Sequence, residues 1–225
     1  MSQIKPNSLK LLSLLLAVFL AGCSSAQKGS PSSQSNYYLN PQKPISAIGR
    51  VTLIELNNLS QRPEVSADMT QALFEAIQKR NVFGLTIVYR SDPACKGLLI
   101  EGNEDYSLEQ LALLRKNLKA DAALVGEVTQ YYSYPRLAIG LRLKLIDLRD
   151  GTLIWAIEQF WDSTDKQVEN RAEDFFKTQI RSGFDPIEYR MALVSPRMFL
   201  KFVAWEVGQT LHNNDKKALF DMVLK

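Results

Sequence analysis

The chain has 225 residues, 46% of them apolar and 23% charged, with a formal net charge of +3. This is a globular composition, long enough for one sizeable core and a helical appendage, and too weakly basic for a nucleic-acid stripe. One histidine (His212) and two cysteines (Cys23 and Cys95) leave no Cys/His cluster at metal-ligand spacing.

Lys5 and Lys10 precede an apolar run from Leu11 to Leu20. The run is about half the length needed to span a bilayer, and it suits the h-region of a secretory leader. It closes on Leu20-Ala21-Gly22-Cys23, which resembles the bacterial lipobox. The resemblance implies cleavage before Cys23, diacylglycerol on its sulfur and a further acyl chain, such as palmitate, on its amine. Ser24 in place of Asp implies sorting to the outer membrane. Two or more acyl chains hold a protein stably on a bilayer. Residues 1–22 are therefore expected to be a signal peptide, with Cys23 as the lipidation site. The chain is then lipid-anchored and periplasm-facing, with the covalent lipid as its sole added group and no cofactor. Removing Lys5 and Lys10 lowers the formal charge to +1. With Cys23 acylated, Cys95 has no thiol partner within the chain and is expected to be buried and inert.

Residues 23–44 read as a flexible tether rich in Ser, Gln, Gly, Pro and Asn, because such a segment cannot bury enough apolar surface to fold alone. Tyr37-Tyr38-Leu39 interrupts it and could dock on the domain. A domain over 45–163 follows. Ile48–Leu56 reads as a strand, residues 57–64 as a polar loop, and Ser66 to Arg80 as a helix with Met69, Ala72, Leu73, Ala76 and Ile77 on one face. Phe83–Tyr89 is a second strand. Ser107 and Gln110 form a capping box for a helix to Leu118, with Leu108, Leu111 and Ala112 turned inward.

Three strands then come without a helix between them: Ala122–Tyr132, Leu137–Asp147 and Thr152–Trp161. Leu137, Ile139, Leu141, Leu143 and Leu145 alternate with smaller or charged residues, and Asp150-Gly151 provides a tight turn. Thr164 with Gln167 is expected to cap a helix to about Arg181. Ser195-Pro196 opens a last helix to about Leu211. Residues 164–225 are thus a C-terminal helical extension packed on the domain. The fold class is α/β (α+β), with a mixed sheet of about five strands in the order β-α-β-α-β-β-β followed by helices.

Lys119-Ala120-Asp121-Ala122-Ala123-Leu124-Val125-Gly126-Glu127-Val128 resembles a strand motif of the CsgG, LpoB and PelC group of bacterial outer-membrane lipoproteins. Leu141 to Trp155, through Asp147, Asp150-Gly151 and Ile154, resembles the hairpin of the same group. The resemblance covers roughly residues 48–161, with a looser first strand at Arg50–Leu56, and identifies no reacting group. Physically, Gly126 lets a neighbouring backbone approach, Asp150-Gly151 fixes the hairpin register, and Trp155 caps the Leu row with its indole N–H at a polar rim. Tyr37-Tyr38-Leu39 is also similar to a segment of lipoproteins that accompany lipid-transport systems.

The sequence argues against an enzyme. His212 sits in a polar run and is expected to be solvated. No G-x-S-x-G is present. Gly97 to Gly102 has phosphate-loop spacing but Asn103 where Lys is required, and Glu101, Glu104 and Asp105 lack EF-hand spacing. No catalytic residue and no metal site is therefore assigned. The candidate partner-binding residues are Tyr131, Tyr132, Tyr134 and Arg136 near a hairpin tip, with Arg142 and Lys144 in a basic row opposite the Leu row. The resemblance implies an accessory of envelope assembly or export that activates a synthase, as LpoB does, or joins an oligomeric export apparatus, as PelC and CsgG do. Its partners would be the membrane through its lipid, envelope proteins, and copies of itself, with no nucleic acid. The alternatives are an oligomeric outer-membrane secretion pore and an auxiliary lipoprotein of a lipid-transport system.

Overall fold

Asp150-Gly151 sets the register of the longest hairpin. Gly151 adopts φ 74° and its N–H donates to the Asp147 carbonyl at 2.9 Å, closing the turn between Ala138–Asp147 and Leu153–Asp162. Leu143 then lies opposite Ile157 and Leu145 opposite Trp155. A one-residue irregularity follows between Leu145 and Ile146. The computed structural model describes residues 37–93, 107–179 and 193–212, all within the unit Ser33–Lys225.

In chain order the elements are β1 (Tyr37–Leu39), β2 (Arg50–Ile54), β3 (Asn57–Asn58), α1 (Val65–Arg80), β4 (Gly84–Val88) and α2 (Leu108–Leu118). Then come β5 (Ala122–Tyr132), β6 (Ala138–Asp147), β7 (Leu153–Asp162), α3 (Lys166–Gln179) and α4 (Pro196–Thr210). The seven-stranded mixed sheet runs β1-β7-β6-β5-β2-β4, with β3 beside β5. β2 pairs in parallel with β4 and β5, whereas β5, β6, β7 and β1 form antiparallel pairs.

The sheet exceeds the expected five strands by two short ones. β1 lies inside the expected tether: three residues pair with β7, while Tyr37 and Leu39 pack on the core. β3 lies inside the expected polar loop and pairs with Glu127 and Val128. Neither carries hydrophobic alternation, because an edge strand this short is held by a neighbour's unpaired backbone groups.

The Leu row of β6 is buried. It packs with Met69, Leu73 and Ile77 of α1 and Phe199, Phe202 and Val203 of α4 in one core. Trp155 and Trp161 from β7 are fully buried there. Each indole removes roughly 150–250 Å² from water, about 4–6 kcal/mol of transfer free energy at ~25 cal/mol per Å². α4 packs on the sheet as expected, and its Phe199, Phe202, Val203 and Val207 are themselves buried in this core. Phe175 of α3 joins through rings of Trp205 and Phe202 at 5.2 and 5.9 Å. The Trp155 indole N–H donates to Thr210 at 3.1 Å. Both groups are buried, so the expected polar rim is replaced by a hydroxyl on α4.

On the opposite face α2 covers only the β2–β5–β6 end, with Leu111 and Leu114 against Ile54, Ala123, Val125 and Ile146. Leu108 is 71% exposed and Ala112 is also exposed, contrary to the inward placement expected of them. Leu111 and Leu114 already fill the narrow contact. The Ser107–Gln110 capping box forms in both directions. At α3 the cap falls one residue later than expected. Asp165 accepts the Gln167 N–H at 2.7 Å, and Thr164 instead donates to Asp162. Pro196 begins α4, but Ser195 makes no side-chain cap.

His212, expected in solvent, meets the Tyr37 ring edge-on at 5.8 Å between centroids. The end of α4 and the first strand are thereby neighbours. Cys23, Cys95, most of the tether and the Gly97–Asp105 stretch lie outside the described residues.

Candidate protein-binding face

Strand alternation sorts the candidate residues onto two faces. On β6 the odd positions enter the core, so Arg142 and Lys144 point to the face that α2 leaves uncovered. Tyr132 pairs with Ala138 and Phe160 with Gly140 on that outer face. Tyr38 of β1 lies opposite Ala156. Tyr38, Tyr132 and Phe160 are 44%, 47% and 44% exposed. Three aromatic rings on three strands thus frame a charged centre.

That centre is a cross-strand ladder. Glu127, Arg142 and Glu158 lie directly opposite one another on β5, β6 and β7. Arg142 donates to Glu127 at 2.6 Å and to Glu158 at 2.7 Å. The hydrogen bond from Arg142 holds the Glu158 carboxyl below its ordinary range, helped by the positive field of Lys144. The same contacts, Glu158 first, raise the Arg142 guanidinium further. Glu127 is nearly buried while Glu158 is exposed. The Glu127 contact therefore fixes the arginine, and the Glu158 contact leaves it addressable from solvent.

The other candidates sit elsewhere. Tyr131 faces the core side, packed on the apolar cluster. It lines a cavity of about 620 Å³ with Arg62, Glu64, Asp68 and Arg197. Burial pushes its phenol up, with Asp68 adding to the effect. Tyr134 is 87% exposed in the β5–β6 turn. Arg136 pairs with Asp162 at 2.9 Å at the base of that hairpin. The structure brings together Tyr132, Arg142 and Lys144, with Tyr134 and Arg136 at one end, and separates Tyr131 from them. Phe160, Tyr38, Glu127 and Glu158 complete the face and were not singled out from sequence. The two glutamates had a signal in the hairpin register, which sets them opposite Arg142.

Among the described residues no group of three or more His, Cys, Asp or Glu is placed to hold a metal ion. Among the same residues, no helix is long and apolar enough to cross a membrane.

No family model matches the chain, and no curated protein matches it. Solved structures similar to it include the PelC dodecamer from Paraburkholderia phytofirmans, at 13% identity and TM-score 0.41, over 56% of this chain and 79% of that one. The C-terminal domain of LpoB from Salmonella enterica is similar at 19% identity and TM-score 0.35, over 50% and 82%. Lipoprotein GNA1162 from Neisseria meningitidis is similar at 13% identity and TM-score 0.39, over 61% and 99%.

Proposed function

We propose that this chain is a lipid-anchored, periplasm-facing lipoprotein of the outer membrane that works by binding other envelope proteins through the outer face of its sheet. The observation that carries the reading is the half of that face that no described helix covers. Three half-exposed aromatic rings surround an arginine that is already oriented by a nearly buried glutamate. Aromatic and arginine side chains held in place before contact lose little entropy on binding and dominate interface energies. Cys23 supplies the attachment, and the chain between it and Tyr37 supplies the reach.

Activation of a synthase and membership of an oligomeric export apparatus would both need a surface of this kind for a protein partner. A pore built from the β6 hairpin is disfavoured by the burial of the Leu row under α1 and α4.

Two measurements test the proposal. Labelled palmitate should enter the chain and not its Cys23→Ser form. A photo-cross-linker at position 132 or 160 should capture an envelope protein, whereas one at position 131, on the other face, should not. Equal capture from positions 131 and 132 would remove the face from consideration.

A further inference from the structure

A second surface lies at the opposite end of the outer face, where α2 crosses the start of β2 and the β6–β7 turn. A groove of about 810 Å³ is lined there by Arg50, Arg115, Lys116, Lys119 and Arg149, with Leu108 at its mouth. All five cations are exposed. Arg149 is paired to Asp147 at 2.8 Å. Among the described residues, Arg50, Arg115, Lys116 and Lys119 have no carboxylate within ion-pair distance of their side chains. Asp121 accepts a hydrogen bond from the Arg50 backbone N–H at 3.0 Å.

Cations at a helix C-terminus complement the helix dipole, which accounts for Arg115 and Lys116 in the last turn of α2. It does not account for Arg50 or Arg149, which arrive from elements far away in sequence. Nor does it account for the leucines: Leu108 and Leu113 are 71% and 54% exposed on the same helix. A helix whose outward side combines exposed leucines with lysine and arginine, Glu109 being the one acid of α2, has the composition of one that lies on an anionic bilayer surface.

We propose that the groove and the outward side of α2 rest on an anionic lipid surface, with phosphate headgroups between Arg50, Arg115, Lys116 and Lys119 and the two leucines entering the interface. The membrane's proximity rests on the lipid-anchor reading. Cys23 and Tyr37 are 14 residues apart, a span of up to roughly 46 Å at ~3.3 Å per residue. From Ile157, the partner of Tyr37, to Arg149 is at most about 26 Å of chain, four steps of β7 and then the β6–β7 turn. The tether is therefore long enough for this end of the domain to reach the bilayer. A surface charge of this kind attracts nearby basic residues, with an effect that fades within a Debye length. The groove would thus set the orientation of a domain already held close by its lipid.

The test uses residues 23–225 carrying Cys23→Ser, sedimented with vesicles of phosphatidylcholine alone or with about 30 mol% phosphatidylglycerol. Binding is expected only to the anionic vesicles, weakening as salt rises. Arg115→Gln/Lys116→Gln/Lys119→Gln should lower it about a hundredfold, at roughly fivefold per cation. Lys79→Gln/Lys201→Gln, remote from the groove, should leave it unchanged. Leu108→Ser/Leu113→Ser should weaken vesicle binding as well. The proposal is overturned if the triple variant binds as the parent does, or if the remote pair loses as much. It is also overturned if inorganic phosphate competes at matched ionic strength while the leucine variant binds normally, which would make this a site for a free anion. Binding to polyglutamate with none to vesicles would assign the groove to an acidic protein partner and equally overturn it. Failure of palmitate labelling with vesicle binding intact would sink the anchor alone, and the converse result would sink the groove alone.

Discussion

The indole N–H of Trp161 donates to a carboxylate oxygen of Glu206 at 2.6 Å, joining the last sheet strand of the core to the last helix. Both residues are buried, and Arg171 of α3 closes on the same carboxylate at 2.6 Å. One acid therefore fastens β7, α3 and α4 together. Removing one partner of a buried pair costs about 3–5 kcal/mol, because the other charge is left without compensation. Arg171→Ala is expected to lose about that much in urea unfolding. Glu206→Gln, which keeps an acceptor for the indole, should lose about 1–3 kcal/mol. Equal stability of Arg171→Ala and the parent would mean that the three elements are held by apolar packing alone.

Gly126 makes a different kind of contact. A Cβ built there would come within 2.2 Å of the Arg142 carbonyl oxygen and 2.9 Å of the Leu143 Cα. Backbone in the middle of a sheet cannot yield cheaply, so Gly126→Ala should destabilise by about 3 kcal/mol or more. Thermal unfolding of this single variant suffices as the check. A loss under about 1 kcal/mol would show that the β5–β6 pair can separate locally.

Acid sensitivity should centre on Asp147. Burial alone would raise its carboxyl, but hydrogen bonds from the Arg149 side chain and backbone and from Lys43 outweigh that and hold it well below the usual carboxylate range. A folded-state pKa below the unfolded value stabilises the protein above about pH 4. That contribution is lost as pH falls from there through the depressed folded value. Asp147→Asn should therefore be less stable than the parent by about 1–3 kcal/mol at neutral pH. The gap should narrow as pH drops below about 4. Urea titrations at three pH values would show this, and a gap constant with pH would contradict it.

The outer face calls for a choice of probe. Arg142→Ala would strand the nearly buried Glu127 and is expected to lose about 1–3 kcal/mol of stability, confusing binding with folding. Tyr132→Ala/Phe160→Ala should leave stability within about 1 kcal/mol, because both rings are half exposed. Capture of the envelope partner should fall by roughly thirtyfold or more if these rings are hot spots. Retention of full capture would move the binding surface elsewhere, with the cavity beside Tyr131 next to be examined.

The β6–β7 hairpin was legible because three independent signals agreed: leucine alternation, a turn that accepts positive φ, and a terminal tryptophan. β1 and β3 were not, since three and two residues cannot display a period, and their pairing depends on which edge lies beside them. Tyr131 and Tyr132 illustrate the same limit within the candidate site. Adjacency in sequence suggests one aromatic surface, yet neighbouring strand residues face opposite ways. A register irregularity between Val128 and Gln130 precedes the pair.

The sequence by itself determined the local decisions: the helices with their periods, the Ser107–Gln110 cap and the hairpin turn, all of them set by residues a few positions apart. Only the tertiary structure decided that α4 completes the core, that Arg142 is clamped between Glu127 and Glu158, and that Arg50 and Arg149 meet the cations of α2. Those outcomes depend on strand order and on which face each helix covers. Both are set by burial of the whole apolar surface at once, and no short segment of chain contains that information.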